Sequence, residues 1–434
     1  MHLTSLSIHK LFGIYDYEFQ FGRSKSGLTV ITGPNGYGKT TILKIISSLN
    51  TSDLYFFYTL KFKRIELTFN DRSRLTIEKS STDTAATTAN NTGGSQADYR
   101  ISTDYQVSFT WTNSDSHFTT LKYDEKEIKK AQREVLLYED RTYRPHGIFT
   151  SPGFINEKDA VLYTPHFNRE LANTQNQDGF LMQLELIRSK FISANRIYKK
   201  SDEQDYPSPI DRIINNIKEK LEEIRNIYNN ESTTDDARFV NELLSTDKSD
   251  IRRQDYENIC RQLQGNAELL LQYLSIKIEI PPFDESNKNI LSYYVNRIQR
   301  KLTKCDSLLN KIRIFDEMLK SKKFADKSIS YSPQHGIRIK SNSGDFIDAS
   351  SLSSGEQNEI VMLYDMIFDL PDNSILLIDE PENSLHVAWQ NMIISDLQRI
   401  ADEKQLQVII ATHSPTIVRY GKEYVHDLYF MQKR

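Results

Sequence analysis

The sequence predicts an α/β protein that contains an antiparallel β subdomain and an inserted α-helical unit. Three observations indicate this class. A strand, a Gly-rich loop and a helix follow one another over residues 27–49, and apolar residues alternate with polar ones in several runs between 64 and 123. Apolar residues then recur at helical spacing between 206 and 325, after which strand–helix alternation returns. Because the C-terminal part repeats the character of the first part, the two are predicted to form one domain.

Composition indicates an ordinary soluble protein. The 434 residues include 55 Lys and Arg against 59 Asp and Glu, a formal net charge of −4, which argues against a generally basic nucleic-acid-binding surface. The two cysteines, Cys260 and Cys305, form no C-x-x-C pair, so neither a disulfide framework nor a structural zinc site is expected. The predicted location is therefore the reducing cytoplasm. No apolar run approaches the roughly 18–20 residues that span a bilayer, so no membrane partner is expected.

The first part of the chain is predicted to be rich in strands. A short apolar strand begins near Gly27, and the helix after the Gly-rich loop carries apolar residues at i, i+3, i+4 and i+7 from Ile42. Further strands, which look like an antiparallel sheet, are predicted at 64–69, 74–79, 100–112 and 117–123. Residues 80–96 are rich in Ser, Thr, Asn and Gly, and a loop is predicted there.

Residues 206–325 are predicted to be helical. Apolar residues recur every three or four positions from Ile210 to Tyr228 and again from Leu291 to Ile312. Each run lasts about three heptads, which favours a helical hairpin or small bundle over a long coiled-coil arm. These seams are interpreted as packing within one subunit, with an intersubunit seam as the alternative, and Cys305 is predicted to be a small core residue.

The C-terminal part is predicted to alternate between strands and helices. The predicted elements are a strand and turn near 335–348, a helix at 355–369, a strand at 375–379, a helix at 385–402 and a strand at 407–412.

The Gly-rich loop from Gly33 to Thr40 fits the pattern G-x-x-x-x-G-K-[ST] between a strand and a helix. Glycines permit a tight loop whose backbone N–H groups, together with the helix N-terminus, surround phosphates. Lys39 would reach the β- and γ-phosphate oxygens, and the Thr40 hydroxyl would face Mg²⁺. The pattern therefore predicts a bound nucleotide with Mg²⁺ as cofactors; that the nucleotide is ATP is implied by the family resemblance described below. The predicted nucleotide-binding residues in this region are Gly33, Pro34, Asn35, Gly36, Gly38, Lys39, Thr40 and Thr41.

An acidic pair ends the predicted buried strand at 375–379. Asp379 at the C-terminal tip could hold Mg²⁺ through water, and the adjacent Glu380 could polarise an attacking water. Thr40 and Asp379 are thus the predicted metal ligands and Glu380 is a predicted catalytic residue. The alternative is a plain strand end with a helix-capping acid.

A third motif is LSSGEQ (352–357), whose Ser353 lies 26 positions before Asp379. It resembles the signature L-S-G-G-Q of the ATP-binding-cassette (ABC) superfamily, with serine for the first glycine and glutamate for glutamine. The resemblance implies a contribution to the γ-phosphate site of an opposite subunit from Ser353, Ser354, Gly355 and Glu356. A Ser- and Gly-rich helix cap unrelated to nucleotide is the alternative.

His413 ends the predicted strand after the Asp-Glu strand, 34 residues beyond Asp379. This position resembles that of the switch histidine of ABC ATPases, which contacts the γ-phosphate and the attacking water. The resemblance implies that His413 is the second catalytic residue, beside Glu380. A structural histidine at a strand end is the alternative.

The spacing and the exact residues of the motifs narrow the resemblance to particular groups within the superfamily. Lys39 and Ser353 are 314 residues apart, with a helical insertion between them, as in the SMC-like group. DEPENSLHVAWQ (379–390) and ATHSP (411–415) resemble strings of the OLD-like ATPases, which include the ATPase subunits of bacterial antiphage systems such as Septu and PARIS. His386 stands where a transporter would carry aspartate, and a valine follows it in place of the family's proline.

The resemblance implies the fold of an ABC ATPase head, a mixed sheet with a P-loop and an antiparallel β subdomain, interrupted by an α-helical hairpin or bundle. An N-terminal part of the head, with Walker A, is predicted at 1–205, and a helical insertion at 206–325. A C-terminal part, with the signature, Walker B and the switch histidine, is predicted at 326–434.

Three further assignments stay open. FISANRIYKK (191–200) resembles a strand that ends in Ser-x-x-Arg, which would make Ser193 and Arg196 candidates near the nucleotide or the subunit interface, although a solvated basic turn explains it equally. The glutamine that reports on Mg²⁺ could be Gln175, Gln177 or Gln183. The aromatic residue that stacks on adenine could be Tyr15, Tyr17 or Phe19.

The implied function is that of an ATPase and sensor subunit in a two-component antiphage system. ATP would be hydrolysed at composite sites between head-to-tail protomers of a dimer or larger homo-oligomer. Full-length OLD proteins continue into a TOPRIM nuclease after T-H-S-P, whereas 21 residues follow His413, so a separate nuclease or toxin effector of TOPRIM or HNH type is expected. A phage-encoded trigger is a further expected partner.

Two alternatives remain. A DNA-repair or chromosome-associated ATPase of the RecF or SMC type would bind DNA directly, and basic clusters at 61–64 and 320–323 permit this. A transporter subunit is disfavoured by the 314-residue interval and by His386.

Overall fold

The computed structural model describes residues 1–22, 27–51, 53–82, 104–114, 118–131, 178–194, 208–245, 251–322, 324, 327–383, 385 and 387–432. The chain divides into two compact units. The first comprises Met1–Ala194, Leu370–Asn383 and Gln390–Arg434, and the second comprises Asn195–Asp369 and Ser384–Trp389. In the described parts, no helix is both long and apolar enough to cross a bilayer.

The secondary structure elements are numbered in chain order. The strands are β1 (Leu3–Leu11), β2 (Tyr15–Gln20), β3 (Leu28–Thr32), β4 (Arg64–Phe69), β5 (Arg74–Thr82), β6 (Asp104–Thr112), β7 (Phe118–Tyr123), β8 (Ser189–Ile192), β9 (Lys327–Ser332), β10 (Gly336–Ser341), β11 (Phe346–Ile347), β12 (Ile375–Asp379), β13 (Gln407–Ala411) and β14 (Val425–Asp427). The helices are α1 (Lys39–Asn50), α2 (Leu54–Thr59), α3 (Asp178–Glu185), α4 (Pro209–Ser245), α5 (Arg253–Leu274), α6 (Lys288–Ser321), α7 (Ser354–Ile367), α8 (Val387–Gln390), α9 (Ile393–Lys404), α10 (Pro415–Tyr420) and α11 (Leu428–Met431).

An antiparallel sheet in the first unit has the spatial order β2–β1–β4–β5–β6–β7. Its strands alternate buried and exposed positions, as in β4, where Ile65, Leu67 and Phe69 are buried between exposed or half-buried neighbours. The predicted strand at 64–69 has these bounds. β5 continues to Thr82 in register with β6, so the prediction of a loop is wrong for residues 80–82, and residues 83–103 lie outside the described ranges.

A second sheet in the same unit is parallel, in the order β14–β3–β13–β12–β8. β12 and β13 are buried at every position, which explains their unbroken apolar runs. β3 pairs with β13, with Val408 opposite Leu28, so strands from the two ends of the chain form one sheet. The predicted α/β class, with its P-loop sheet, antiparallel subdomain and inserted helices, is confirmed.

Helix α1 covers one face of the parallel sheet. Its apolar face at Ile42, Ile45, Ile46 and Leu49 is fully buried, as the periodicity predicts, in a core shared with the antiparallel sheet. The prediction of one helix at 385–402 is wrong, because a turn at 391–392 separates α8 from α9. Asn391 favours a turn, and side-chain periodicity does not register such a short interruption.

The second unit contains the long helices α4, α5 and α6 and a small sheet, β11–β10–β9. α6 packs against both α4 and α5. The predicted seam from Leu291 to Ile312 is buried along α6, and Cys305 is fully buried with its Sγ 3.8 Å from the carbonyl oxygen of Ile224 in α4. This seam therefore packs within one chain.

Replacing Gly336 by alanine is expected to destabilise the second unit strongly. Gly336 begins β10 at φ +67°, and an added Cβ would lie 2.2 Å from the carbonyl oxygen of Ile214 in α4. The free energy of unfolding should fall by at least about 2 kcal/mol, through left-handed strain and a backbone clash. Chemical unfolding followed by circular dichroism would measure this.

Gly344 provides the matched control for this change. It also has a positive φ, +91°, but an added Cβ would meet nothing within 4 Å. Gly344→Ala should therefore incur only the left-handed strain, about 1 kcal/mol. Equal losses in the two variants would contradict the close approach of β10 to α4.

Candidate active site

The Gly-rich loop connects β3 to α1 in the first unit. Gly33 and Gly38 have φ of +146° and +91°, conformations that disfavour any other residue. A Cβ on Gly38 would also lie 2.9 Å from Cδ2 of Leu11. No side chain caps the first turn of α1. The loop and helix end thus present backbone N–H groups and the positive end of the helix dipole to an anion.

The Lys39 side chain folds back over this loop. Lys39 is 6% exposed, and its Nζ donates hydrogen bonds to the carbonyl oxygens of Gly33 (3.0 Å) and Pro34 (3.2 Å). Burial lowers the pKa of this ammonium, while the carboxylates of Glu380, Asp379 and Glu382 act in the opposite direction. The cation is thus held at the loop by weak carbonyl acceptors that phosphate oxygens could replace.

Thr40 and Asp379 meet although they are 339 positions apart in the sequence. The Thr40 hydroxyl lies 3.1 and 3.0 Å from the two carboxylate oxygens of Asp379. Asp379 is 6% exposed, and its burial raises its pKa, assisted by the neighbouring Glu380. A hydroxyl beside a carboxylate is the oxygen-only donor set that suits Mg²⁺, so these residues fit the predicted metal.

Glu380 and His413 follow adjacent parallel strands. β12 and β13 pair along their whole length, so the residues after them lie at one edge of the sheet. Glu380 has φ +45°, and its N–H donates to the carbonyl oxygen of Ala411 at 2.8 Å. Such a backbone conformation is uncommon for a non-glycine residue and is held here by the neighbouring strand. His413 is exposed.

Glu382 is a site residue that the sequence reasoning did not assign. Its Oε1 accepts hydrogen bonds from the Thr412 hydroxyl (2.6 Å) and from the backbone N–H groups of His413 and Ser414 (2.9 Å each). The second glutamate of D-E-P-E was visible in the sequence. Its hydrogen-bond partners, in the loop after β13, can be identified only from the pairing of β12 with β13.

The signature-like residues lie in the second unit, at the start of α7. Ser353 is the N-cap, and it forms a capping box with Glu356, whose carboxylate accepts from the Ser353 N–H and hydroxyl, each at 2.9 Å. The other Glu356 oxygen accepts from Lys327 Nζ at 2.6 Å. Burial opposes ionisation of Glu356, but these hydrogen bonds outweigh it and hold its pKa below the usual value. Ser354 and Gly355 form the first turn.

The open assignments fall into two groups. Arg196, Gln175, Gln177 and His386 lie outside the described residues. Ser193 directly follows β8, and Gln183 in α3 accepts a hydrogen bond from the Thr119 hydroxyl at 2.9 Å.

Aromatic rings adjoin the phosphate loop. Tyr15 stacks on Tyr37, a residue of the loop itself, with ring centroids 5.2 Å apart. The Tyr17 hydroxyl donates to the Tyr37 carbonyl oxygen at 2.8 Å. Phe19 is fully buried. Among the candidates for stacking on adenine, Tyr15 is therefore the ring best placed at the loop, and Tyr37 joins it.

Comparison with solved structures finds SMC heads with low sequence identity. A SMC head bound to the C-winged helix domain of ScpA is 12% identical, with 96% of this chain and 92% of that chain covered and a TM-score of 0.37. The SMC head domain from Thermotoga maritima is 11% identical, with 98% and 94% covered and a TM-score of 0.34. A Smc head domain with an extended coiled coil, bound to the C-terminal domain of ScpA derived from Pyrococcus furiosus, is 14% identical, with 96% and 91% covered and a TM-score of 0.36.

Comparison with curated proteins finds no matching sequence. The family model described as an AAA ATPase domain matches residues 1–418. That match spans almost the whole chain, including the Gly-rich loop, the Asp-Glu pair and the His413 loop. The chain therefore belongs to the AAA ATPase domain family.

Proposed function

We propose that the protein is a Mg²⁺-dependent ATPase of the SMC-like ABC type, which hydrolyses ATP to ADP and phosphate. The observation that carries the proposal is the approach of the Thr40 hydroxyl to both oxygens of the buried Asp379, beside Lys39 at the start of α1. Thr40 and Asp379 would hold Mg²⁺, which when bound neutralises charge on the phosphates. The test is phosphate release from ATP with and without Mg²⁺, and a rate unaffected by chelation of the metal would contradict the metal assignment.

The proposed roles of the remaining residues follow from their positions. The N–H groups of the 33–41 region hold the phosphates, and Lys39 neutralises the β- and γ-oxygens. Glu380 accepts a proton from water as the water oxygen bonds to the γ-phosphorus and the bond to the β–γ bridging oxygen breaks, so ADP leaves. His413 holds the γ-phosphate.

We further propose that each site is completed by a second protomer. In this arrangement the residues from Ser353 to Glu356 contact ATP bound to the P-loop of a head-to-tail partner, in a dimer or larger homo-oligomer. The α7 N-terminus, with its small first-turn residues, supports the proposal because it can present N–H groups to a phosphate. For the contact to form, the Ser353 hydroxyl must exchange its bond to Glu356 for one to phosphate.

Mixing two inactive variants tests this composite site. Lys39→Ala disables the P-loop and Ser353→Arg disables the signature, so neither should hydrolyse ATP alone. A mixed dimer contains one site with an intact P-loop and an intact signature, so an equal mixture should recover about a quarter of the wild-type rate. A mixture as inactive as its components would contradict the composite site.

We also propose that the protein is the sensor subunit of a two-component antiphage system in the bacterial cytoplasm. ATP-dependent closure would hold, release or activate a separate nuclease or toxin effector, of TOPRIM or HNH type, in response to a phage-encoded trigger. The proposal is supported by the sequences of residues 379–390 and 411–415, which resemble motifs of the OLD-like ATPases. Plaque counts on cells carrying this gene and its neighbours, with and without Glu380→Gln, test the role. Unchanged plaque counts, or a neighbouring gene without nuclease or toxin features, would count against it.

We propose direct DNA binding as a second candidate, and a groove on the first unit supports it. This groove has a volume of about 730 Å³ and combines lysines with tyrosines, namely Lys10, Lys61, Lys63, Lys79, Lys129, Tyr55, Tyr58 and Tyr105. Lysines neutralise phosphates, and aromatic rings stack on bases. Ion pairs reduce the support from some of these lysines, since Lys10 and Lys129 pair with Asp16 and Glu125. The same holds for the predicted cluster at 320–323, where Lys320 and Lys322 pair with Asp316 and Glu359. DNA binding that weakens with salt and with Lys61→Glu would support the candidate, and no salt-dependent binding would contradict it.

A further inference from the structure

Glu382 connects the two loops that follow β12 and β13. One oxygen, Oε1, accepts from the Thr412 hydroxyl at 2.6 Å and from the N–H groups of His413 and Ser414 at 2.9 Å. Thr412 is fully buried and Ser414 is 8% exposed, so water cannot readily replace this acceptor. A single carboxylate oxygen therefore holds both residues that flank His413 and the backbone of His413 itself.

A further hydrogen bond joins the residue after β12 to the end of β13. The Glu380 N–H donates to the Ala411 carbonyl oxygen at 2.8 Å, and the Asn383 N–H donates to the Glu380 carbonyl oxygen at 3.0 Å. Glu380 is thus held by one hydrogen bond to the end of β13 and by one within its own loop, and the bonds from Glu382 are those that reach the His413 loop. Bonds to an ionised carboxylate are about twice as strong as neutral ones, so Glu382 supplies the firmest of these links.

The environment of the second oxygen of Glu382 indicates that this carboxylate does more than stabilise the fold. Oε2 is buried and makes no hydrogen bond to any described residue. Burying a carboxylate oxygen without a hydrogen-bond partner costs free energy, and a charged group does not recover that cost through hydrophobic burial. The carboxylate is nevertheless aimed at the His413 loop.

We propose that Glu382 is a positioning residue for ATP hydrolysis, which fixes the Thr412–Ser414 backbone and so keeps His413 beside Glu380. The inference rests on the proposed ATPase function of this site. A displacement of about 1 Å at a reacting group can cost on the order of a hundredfold in rate, so a loop that loses its anchor should lose turnover. The hydrogen bonds of the Lys39 and Thr40 side chains go to Gly33, Pro34 and Asp379, so removing Glu382 should leave nucleotide binding largely intact.

The test compares turnover and nucleotide affinity in variants of the full chain. Glu382→Ala removes the acceptor of the Thr412 hydroxyl and of the His413 N–H, while the Ser414 N–H keeps its second acceptor, the Thr412 hydroxyl oxygen at 2.9 Å. The kcat should fall about a hundredfold while the Kd for Mg-ATP changes by less than about threefold. Glu382→Gln keeps one acceptor oxygen without the charge, so kcat should fall by only about tenfold. Asp402→Ala, which removes a carboxylate from the exposed face of α9, is the control and should retain the wild-type kcat.

A double variant separates positioning from general damage. If Glu382 acts through His413, Glu382→Ala combined with His413→Ala should be no slower than His413→Ala alone. Multiplied losses in the double variant, a wild-type kcat in Glu382→Ala, or an equal loss of Mg-ATP affinity and kcat in both Glu382 variants would each overturn the inference. Failure of the ATPase proposal is distinct, because the wild-type protein and Lys39→Ala would then release phosphate at the same rate.

Discussion

Glu380→Gln is expected to lower the rate of ATP hydrolysis at least about a hundredfold, while Mg-ATP binding stays close to that of the wild-type protein. The amide matches the carboxylate in size, so the φ +45° backbone and the hydrogen bond from the Glu380 N–H to Ala411 should persist. What is lost is a base that can accept a proton from the attacking water. Phosphate release and equilibrium binding of labelled ATP measure the two quantities.

The Glu380→Gln protein should also accumulate in its ATP-bound assembly. Because ATP would bind and not turn over, mass measurement should show a larger oligomer with ATP than without it. Asp402→Asn, on the exposed face of α9, removes a charge elsewhere in the first unit and should behave as the wild-type protein does. Wild-type hydrolysis by Glu380→Gln would show that Glu380 is not the base.

Lys39→Ala is expected to weaken Mg-ATP binding by at least about a hundredfold, equivalent to about 2.7 kcal/mol. The ammonium is 6% exposed and already held at the loop by the carbonyl oxygens of Gly33 and Pro34. Its loss removes the cation that would face the phosphates and leaves the nearby Asp379 and Glu380 carboxylates to repel them. Isothermal calorimetry or labelled-ATP titration would measure the loss.

Two further variants test whether the loss of affinity is specific to the Lys39 ammonium. Lys39→Arg keeps a charge but replaces a compact ammonium with a wider guanidinium, so it should also bind poorly in the confined loop. Lys422→Ala removes an exposed lysine and should leave the affinity unchanged. Wild-type affinity in Lys39→Ala would contradict the assignment of the phosphate site.

The elements that could be predicted from the sequence are those in which the pattern of apolar and polar side chains matches the faces that are buried. The strand at 375–379 is an unbroken apolar run because both faces of β12 are covered, and the strand at 64–69 alternates because one face of β4 is covered. The helix predicted at 385–402 failed because periodicity continues across the turn at 391–392. Element type followed from local chemistry, and the break depended on a few backbone angles.

The candidate site was predictable only as separate motifs. Each motif was recognisable alone, but the approach of Thr40 to Asp379 and the position of Glu382 beside the His413 loop depend on which strands pair in the parallel sheet. No local pattern encodes that order. The helix cap given as the alternative reading of residues 352–357 is present, as a capping box between Ser353 and Glu356. The role of these residues toward phosphate stays a prediction.

The position of β3 has a consequence for how the protein is made. The strand that leads into the phosphate loop is flanked on one side by β13 and on the other by β14, both from the last 30 residues of the chain. As the ribosome releases the chain from its N-terminus, this apolar strand has two unpaired edges until residues 407–427 have been synthesised. Because so long a loop must close, we expect the parallel sheet to assemble late and slowly. Nascent chains should depend on chaperones until then, and they should acquire nucleotide affinity only once β13 and β14 have paired with β3.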